Sequence, residues 1–122
     1  MTDSKLIDSS VWLAYFFAGE HTEIIECDDI LLLSAISLFE IKKRLIERKI
    51  PEDLINKNMN FLKQRSNIID VNTKIAEKAI EIYIEYKLAT IDSIIYASAI
   101  SNNAILITRD NDFRGLPNVK LF

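Results

Sequence analysis

Residues 104–113 read AILITRDNDF, an apolar run that stops at a threonine and is followed by two acids. The run Ala104–Thr108 is short and apolar, which is typical of a strand buried inside a parallel sheet. Before it, Ile91–Ser101 is almost wholly apolar over the length of a helix and predicts a helix buried on most of its sides. A buried helix that leads into a buried strand is one unit of an alternating α/β fold.

The rest of the chain alternates in the same way. Strands are also predicted at Lys5–Asp8, Ile30–Ser34, Asn67–Val71 and, at an edge, Val119–Phe122. The remaining helices are predicted at Ser9–Ala18, Thr22–Cys27, Ala35–Lys49, Pro51–Arg65 and Thr73–Tyr86. This order predicts one domain over residues 1–122, an α-β-α sandwich of three layers around a mostly parallel sheet of about five strands.

The composition is that of a globular protein, with 49% hydrophobic and 27% charged residues. Two glycines are too few for a phosphate-binding glycine-rich loop, which excludes P-loop enzymes and dinucleotide-binding domains. Cys27 is the only cysteine and excludes an internal disulfide and a cysteine-based zinc site. With no apolar run near the ~20 residues of a membrane span, we expect a cytoplasmic location.

Charge is distributed unevenly along the chain. Residues 1–41 sum to −7, residues 42–65 to +5 and residues 66–122 to −1. The basic residues of the middle block are Lys42, Lys43, Arg44, Arg48, Lys49, Lys57, Lys63 and Arg65. Such a block is either a solvated helical face or a surface that follows nucleic-acid phosphates, and composition alone does not separate the two.

Acidic residues lie where predicted strands end or the following helices begin. These acids are Asp8, Glu40, Asp92, Asp110 and Asp112. Because open parallel sheets bind ligands beyond the carboxyl ends of their strands, we expect four segments to bring carboxylates to one edge. Clustered carboxylates repel, and a hard divalent cation such as Mg²⁺ or Mn²⁺ relieves the repulsion. Beside a basic block, such a site predicts a phosphodiesterase that acts on nucleic acid.

Most of these acids also have a structural explanation. Asp8 could cap the helix that follows it, and Asp92 could complement a helix dipole with Thr90 as the cap. Asp110 and Asp112 could form an Asx turn. The single histidine, His21, is interpreted as a surface residue.

For Glu40 the two explanations depend on where its helix begins. A helix that starts at Ser37 would make Glu40 the acid of a capping box, and Glu40 could also pair with Arg44. A helix that starts at Ser34 would put Glu40 in the second turn, where it is free to face a site. We expect the start at Ser34.

Four segments, taken together, resemble the PIN domain family and, more narrowly, its small VapC-type toxin ribonucleases. They are Leu6–Val11, Leu38–Glu40, Ile91–Ala97 and Ile107–Phe113, of which Thr108–Phe113 is the most specific. The resemblance implies a parallel five-stranded sheet covered by helices and Mg²⁺- or Mn²⁺-dependent cleavage of RNA. It also implies a homodimer and an antitoxin protein as partner.

The resemblance assigns roles to individual residues. The acidic quartet of catalytic residues is Asp8, Glu40, Asp92 and Asp110, of which Asp8, Asp92 and Asp110 are expected to hold the metal. The supporting residues are Ser9, Thr108 and Asp112, and we expect the Thr108 hydroxyl to orient an acid. Lys42, Lys43 and Arg44 follow Glu40 and are interpreted as leading the RNA backbone to the site.

Three other interpretations compete with this one. An inert PIN-like module would bind a protein through aromatic residues such as Trp12, Phe16 and Phe17. A receiver-type signalling domain would need two adjacent acids after the first strand, whereas Asp8 stands alone there. Cleavage of DNA instead of RNA would use the same acids, and the sequence leaves that choice open.

Overall fold

The computed structural model describes residues 4–122. Its strands are β1 (Lys5–Ile7), β2 (Leu31–Ser34), β3 (Ser66–Ile69), β4 (Ile105–Thr108) and β5 (Val119–Leu121). All neighbouring strands pair in parallel, in the order β3-β2-β1-β4-β5. The predicted fold class is therefore confirmed, and the sheet is parallel throughout.

Within residues 4–122, six helices connect the strands. They are α1 (Ser9–Ala18), α2 (Thr22–Ile25), α3 (Ala35–Glu47), α4 (Glu52–Arg65), α5 (Thr73–Tyr86) and α6 (Thr90–Ser101). A single 3-10 turn, Asn111–Phe113, follows β4. Among the described residues, no helix combines the length and apolar character needed to cross a bilayer.

The sheet separates two hydrophobic cores because successive side chains of a strand point to opposite faces. On one face, Leu6, Leu32 and Leu106 pack with buried residues of α5 and α6. On the other face, the strand residues are Ile7, Leu31, Leu33 and Ile107, and they pack with buried residues of α1, α2, α3 and α4. Both faces of the sheet are covered, as a parallel sheet requires.

Two side chains lie elsewhere than the sequence suggested. Trp12 is fully buried in the second core, so it cannot serve as the exposed aromatic of an interaction module. The His21 side chain is only 11% exposed and packs on the Phe122 ring at a centroid distance of 4.7 Å, so its interpretation as a surface residue is wrong.

Candidate acidic site at the carboxyl edge of the sheet

Asp8 lies directly after β1 and is buried, with 5% of its surface exposed. Thr108, the last residue of the neighbouring strand β4, donates a hydrogen bond to Asp8 Oδ2 at 2.8 Å. Ser10 Oγ donates to the same oxygen, also at 2.8 Å. Asp8 occupies the N-cap position of α1, yet its side chain makes no capping hydrogen bond. The carboxylate therefore does not cap α1 but is held by the side chains of Thr108 at the end of β4 and Ser10 in α1.

The same two hydroxyls fix the loop after β4. Thr108 Oγ1 accepts a hydrogen bond from the Asp110 backbone N–H at 3.0 Å. Ser10 Oγ accepts one from the Arg109 backbone N–H, also at 3.0 Å. Each hydroxyl thus donates to Asp8 and accepts from the loop, which couples the position of Asp8 to that of Asp110.

Asp92 is the third residue of α6 and lies half-buried above the sheet edge. Burial raises its pKa to about 6, and the nearby carboxylates of Asp110, Asp8, Asp112 and Glu40 add to the shift in that order. The N-cap of α6 is Ala89 and no side chain caps the helix, which excludes the alternative of a Thr90 cap. A carboxyl with a raised pKa among four other acids has the electrostatics of a cation site.

Asp110 and Asp112 come from the turn that follows β4. Asp110 Oδ1 accepts a hydrogen bond from the Asp112 backbone N–H at 2.9 Å and caps the 3-10 turn, so the Asx turn is present. Asp92, Asp110 and Asp112 each offer one carboxylate oxygen within 4.8 Å of the other two. The sequence grouped Asp92 and Asp110 with Asp8 as metal ligands, whereas the fold brings Asp112 into this trio.

Glu40 lies in the second turn of α3, because the helix begins at Ala35 with Ser34 at its N-cap. The expected start at Ser34 is confirmed, and the capping box at Ser37 is excluded. Ser9 Oγ donates a long hydrogen bond of 3.4 Å to Glu40 Oε1. Burial and, secondarily, the Asp8 charge raise the pKa of Glu40. Glu40 therefore belongs electrostatically to the same acidic cluster.

The three basic residues after Glu40 are all exposed on α3. Lys43 is close enough to Glu40 to lower its pKa, against the larger effect of burial. Arg44 lies 4.0 Å from Glu47 rather than pairing with Glu40. The three basic residues therefore follow Glu40 directly along α3, next to the acidic site.

A groove of about 520 Å³ lies between α3 and α4, and Lys42 and Lys43 are part of its lining. The sequence did not predict it. Its apolar lining residues are Leu38, Phe39, Ile46 and Met59, and its charged residues are Lys42, Lys43, Glu47 and Lys63. Phe39 and Ile46 are 65% and 56% exposed. The sequence carries a signal for this groove, because Phe39 and Ile46 are large apolar residues outside the stripe of α3 that faces the core.

Comparison with known proteins gives one family. The family model of the PIN domain matches residues 5–119. A toxin–antitoxin complex from Klebsiella pneumoniae contains a chain with 27% identity and a TM-score of 0.78, with 95% of each chain covered. VapBC2 from Rickettsia felis, bound to a DNA fragment from its promoter, has 19% identity and a TM-score of 0.78 over 98% of this chain and 97% of that one.

A third similar structure is Mycobacterium tuberculosis VapC20, a toxin that cleaves the sarcin–ricin loop. It has 16% identity and a TM-score of 0.70 over 93% of this chain and 95% of that one. No protein of curated function matches the chain.

Proposed function

The chain belongs to the PIN domain family, and from that premise we propose that it is a divalent-metal-dependent ribonuclease, the toxin of a toxin–antitoxin pair. One observation carries the proposal. Carboxylate oxygens of Asp92, Asp110 and Asp112 lie within 4.8 Å of one another, and Asp92 has its pKa raised to about 6 by burial and by its acidic neighbours. A hard cation bound by such a cluster would relieve the repulsion between its carboxylates.

The residues present fit Mg²⁺ or Mn²⁺, because every candidate ligand is a carboxylate. Asp92 and Asp110 are the proposed ligands common to the sequence pattern and to the clustered trio. Asp112 supplies the third oxygen of the trio, and Asp8 adds a buried negative charge that raises the pKa of Asp92. When bound, the cation would polarise a phosphodiester and make water a better nucleophile.

The side chains around this centre have separate tasks. Thr108 and Ser10 both donate to Asp8 and so favour its charged form against the cost of burial. Glu40, whose pKa is raised, accepts the proton of the attacking water. The water oxygen bonds to phosphorus as the bond to the leaving oxygen breaks, and the leaving oxygen takes a proton from solvent. Lys43, beside Glu40, attracts the substrate phosphate.

Substrate binding is assigned to the exposed positive charges of Lys42, Lys43 and Arg44. Each can neutralise one backbone phosphate, which supplies affinity without sequence readout. RNA rather than DNA is proposed on the family resemblance, and a cytoplasmic location is part of the same proposal.

An antitoxin partner is supported by the similarity to a chain from a toxin–antitoxin complex. We assign its binding segment to the groove between α3 and α4, because exposed apolar side chains there are bordered by three lysines. An amphipathic helix with apolar anchors and acidic flanks is the complementary ligand. A designed peptide of that pattern is the probe, and its binding should be lost in Phe39→Ser.

A homodimer is proposed as well. Trp12 on α1 and Ile24 and Ile25 on α2 are buried and leave no large apolar patch there. An apolar strip on α5 offers a better surface, since Ile80 and Ile84 are 55% and 61% exposed. Ile84→Asp should convert a dimer to a monomer in light scattering, with the far-UV circular dichroism unchanged.

The decisive experiment is cleavage of a panel of structured and single-stranded RNA, with matched DNA, in Mg²⁺, in Mn²⁺ and in EDTA. Asp92→Asn, purified identically, is the control. Metal-dependent cleavage of RNA that vanishes in the variant is expected. Cleavage that survives in Asp92→Asn would contradict the assignment. The absence of both cleavage and Mn²⁺ binding would favour the inert protein-binding module.

A further inference from the structure

Three buried serine hydroxyls have no hydrogen-bond partner among residues 4–122, and they belong to Ser34, Ser37 and Ser66. A buried hydroxyl without a partner destabilises a fold, and most buried polar groups are paired. Ser34 is the most notable of the three, because it is fully buried and ends strand β2 beside the acidic site. It also occupies the N-cap position of α3 without making the capping hydrogen bond.

Strand register puts Ser34 next to Asp8. Leu6 of β1 pairs with Leu32 of β2, so two residues further on Asp8 lies opposite Ser34. Ile7 pairs with Ile107 of β4, so Asp8 lies opposite Thr108 on its other side. Two positions earlier, the residues of the same three strands share one core, and they are Leu6, Leu32 and Leu106. Because side chains two apart on a strand share a face, Ser34, Asp8 and Thr108 point to the side covered by α6.

Of the two residues that flank Asp8 in the sheet, Thr108 donates a hydrogen bond to it and Ser34 does not. Thr108 and Ser10 both donate to Oδ2 of Asp8, whereas the Ser34 hydroxyl on the opposite side donates to nothing among the described residues. An ionised carboxylate has about four acceptor positions on its two oxygens, so it can accept a further donor. A serine hydroxyl changes its hydrogen-bond partner by rotation of one side-chain torsion.

We propose that Ser34 is a positioning residue, whose hydroxyl donates a hydrogen bond to Oδ1 of Asp8 when a divalent cation occupies the acidic site. The inference rests on the proposed function, because it concerns how Asp8 is held beside the proposed cation site. Ser34 then holds Asp8 from the β2 side as Thr108 holds it from the β4 side. Hydrogen bonds of this type orient carboxylates near metals and raise metal affinity.

The test is Mn²⁺ binding to the metal-free protein, measured by titration calorimetry. Ser34→Ala should weaken the affinity about tenfold, and Ser34→Thr, which keeps the hydroxyl, should restore it to within about threefold. Ser66→Ala is the matched control, because it removes an equally unpaired buried hydroxyl at the start of β3, at the opposite edge of the sheet. It should leave the affinity unchanged.

Thermal unfolding of the metal-free proteins separates this role from a merely structural one. Removal of an unpaired hydroxyl should leave the Tm of Ser34→Ala equal to or above that of the parent. A Mn²⁺ affinity of Ser34→Ala equal to that of the parent would overturn the proposal for Ser34. If Asp92→Asn loses Mn²⁺ binding in the same experiments, the proposed metal site is still supported. A parent protein that binds no Mn²⁺ would overturn both.

Discussion

Thr108 donates a 2.8 Å hydrogen bond to Oδ2 of Asp8, although the two residues are 100 positions apart in the chain. The bond is possible because β1 and β4 are neighbours in the sheet and in register. The same hydroxyl accepts from the Asp110 backbone N–H. One buried side chain therefore connects the acid after the first strand to the acid after the fourth.

Thr108→Ala should both destabilise the protein and weaken its activity. It removes a donor to a buried carboxylate and leaves the Asp110 N–H without its acceptor, which we expect to cost about 2 kcal/mol in the free energy of unfolding. Metal affinity and cleavage should fall about tenfold or more. Urea unfolding and Mn²⁺ titration measure the two effects. Thr108→Ser keeps the hydroxyl and should recover most of the affinity; if it behaves like alanine, packing of the methyl group explains the result.

The secondary structure could be predicted from the sequence because each buried element carries its own local signal. The apolar runs at β2 and β4 and the apolar length of α6 have few other interpretations in a protein of this size. Their alternation then predicted the parallel sheet and the edge at which the acids meet. The predicted strand ends lie within two residues of those observed.

Side-chain partners across the fold could not be predicted in the same way. That Asp112 rather than Asp8 completes the trio with Asp92 depends on the turn conformation after β4, which no periodicity encodes. The groove beside Phe39 depends on the packing of α3 against α4. The burial of Trp12 depends on which side of a nearly all-apolar α1 meets the sheet, and such a helix has no distinct polar face.

The lysines of α3 give a prediction about salt dependence. In EDTA, which prevents cleavage, Lys42→Gln and Lys43→Gln should each weaken RNA binding at all sequences and reduce the slope of log affinity against log salt by about 1. Lys74→Gln on α5, an exposed lysine on the opposite side of the sheet, is the control. Equal slopes for all three variants would mean that the basic block is only a solvated face.

Metal binding should depend on pH through Asp92. A carboxyl must lose its proton to hold a cation, and the pKa of Asp92 is raised to about 6 by burial and by its acidic neighbours. The apparent Mn²⁺ affinity should therefore rise with pH through 6 and level off above about pH 7. Titrations at half-unit steps from pH 5 to pH 8 measure this. An affinity that is already constant below pH 6 would show that Asp92 is not a ligand.

Stability of the metal-free protein should change with pH in the opposite sense. The pKa of Asp92 is 3.8 in the unfolded reference and about 6 in the folded protein, so the folded state binds more protons between these values. Its contribution to stability is intact below pH 4 and is lost as the pH rises through 6. Asparagine has no such proton to lose.

Between pH 4 and pH 7 the free energy of unfolding of Asp92→Asn should therefore rise by about 1 kcal/mol relative to that of the parent. The value is this small because solvent screens the partly exposed carboxyl. Asp53→Asn is the matched control, since Asp53 also lies in the first turn of a helix but is exposed on α4. It should lack the pH-dependent gain. Saturating Mn²⁺ should reverse the order at pH 7, because only the parent is stabilised by the bound cation. If Mn²⁺ raises the Tm of both proteins equally, the cation binds elsewhere and the repulsion at Asp92 serves no metal site.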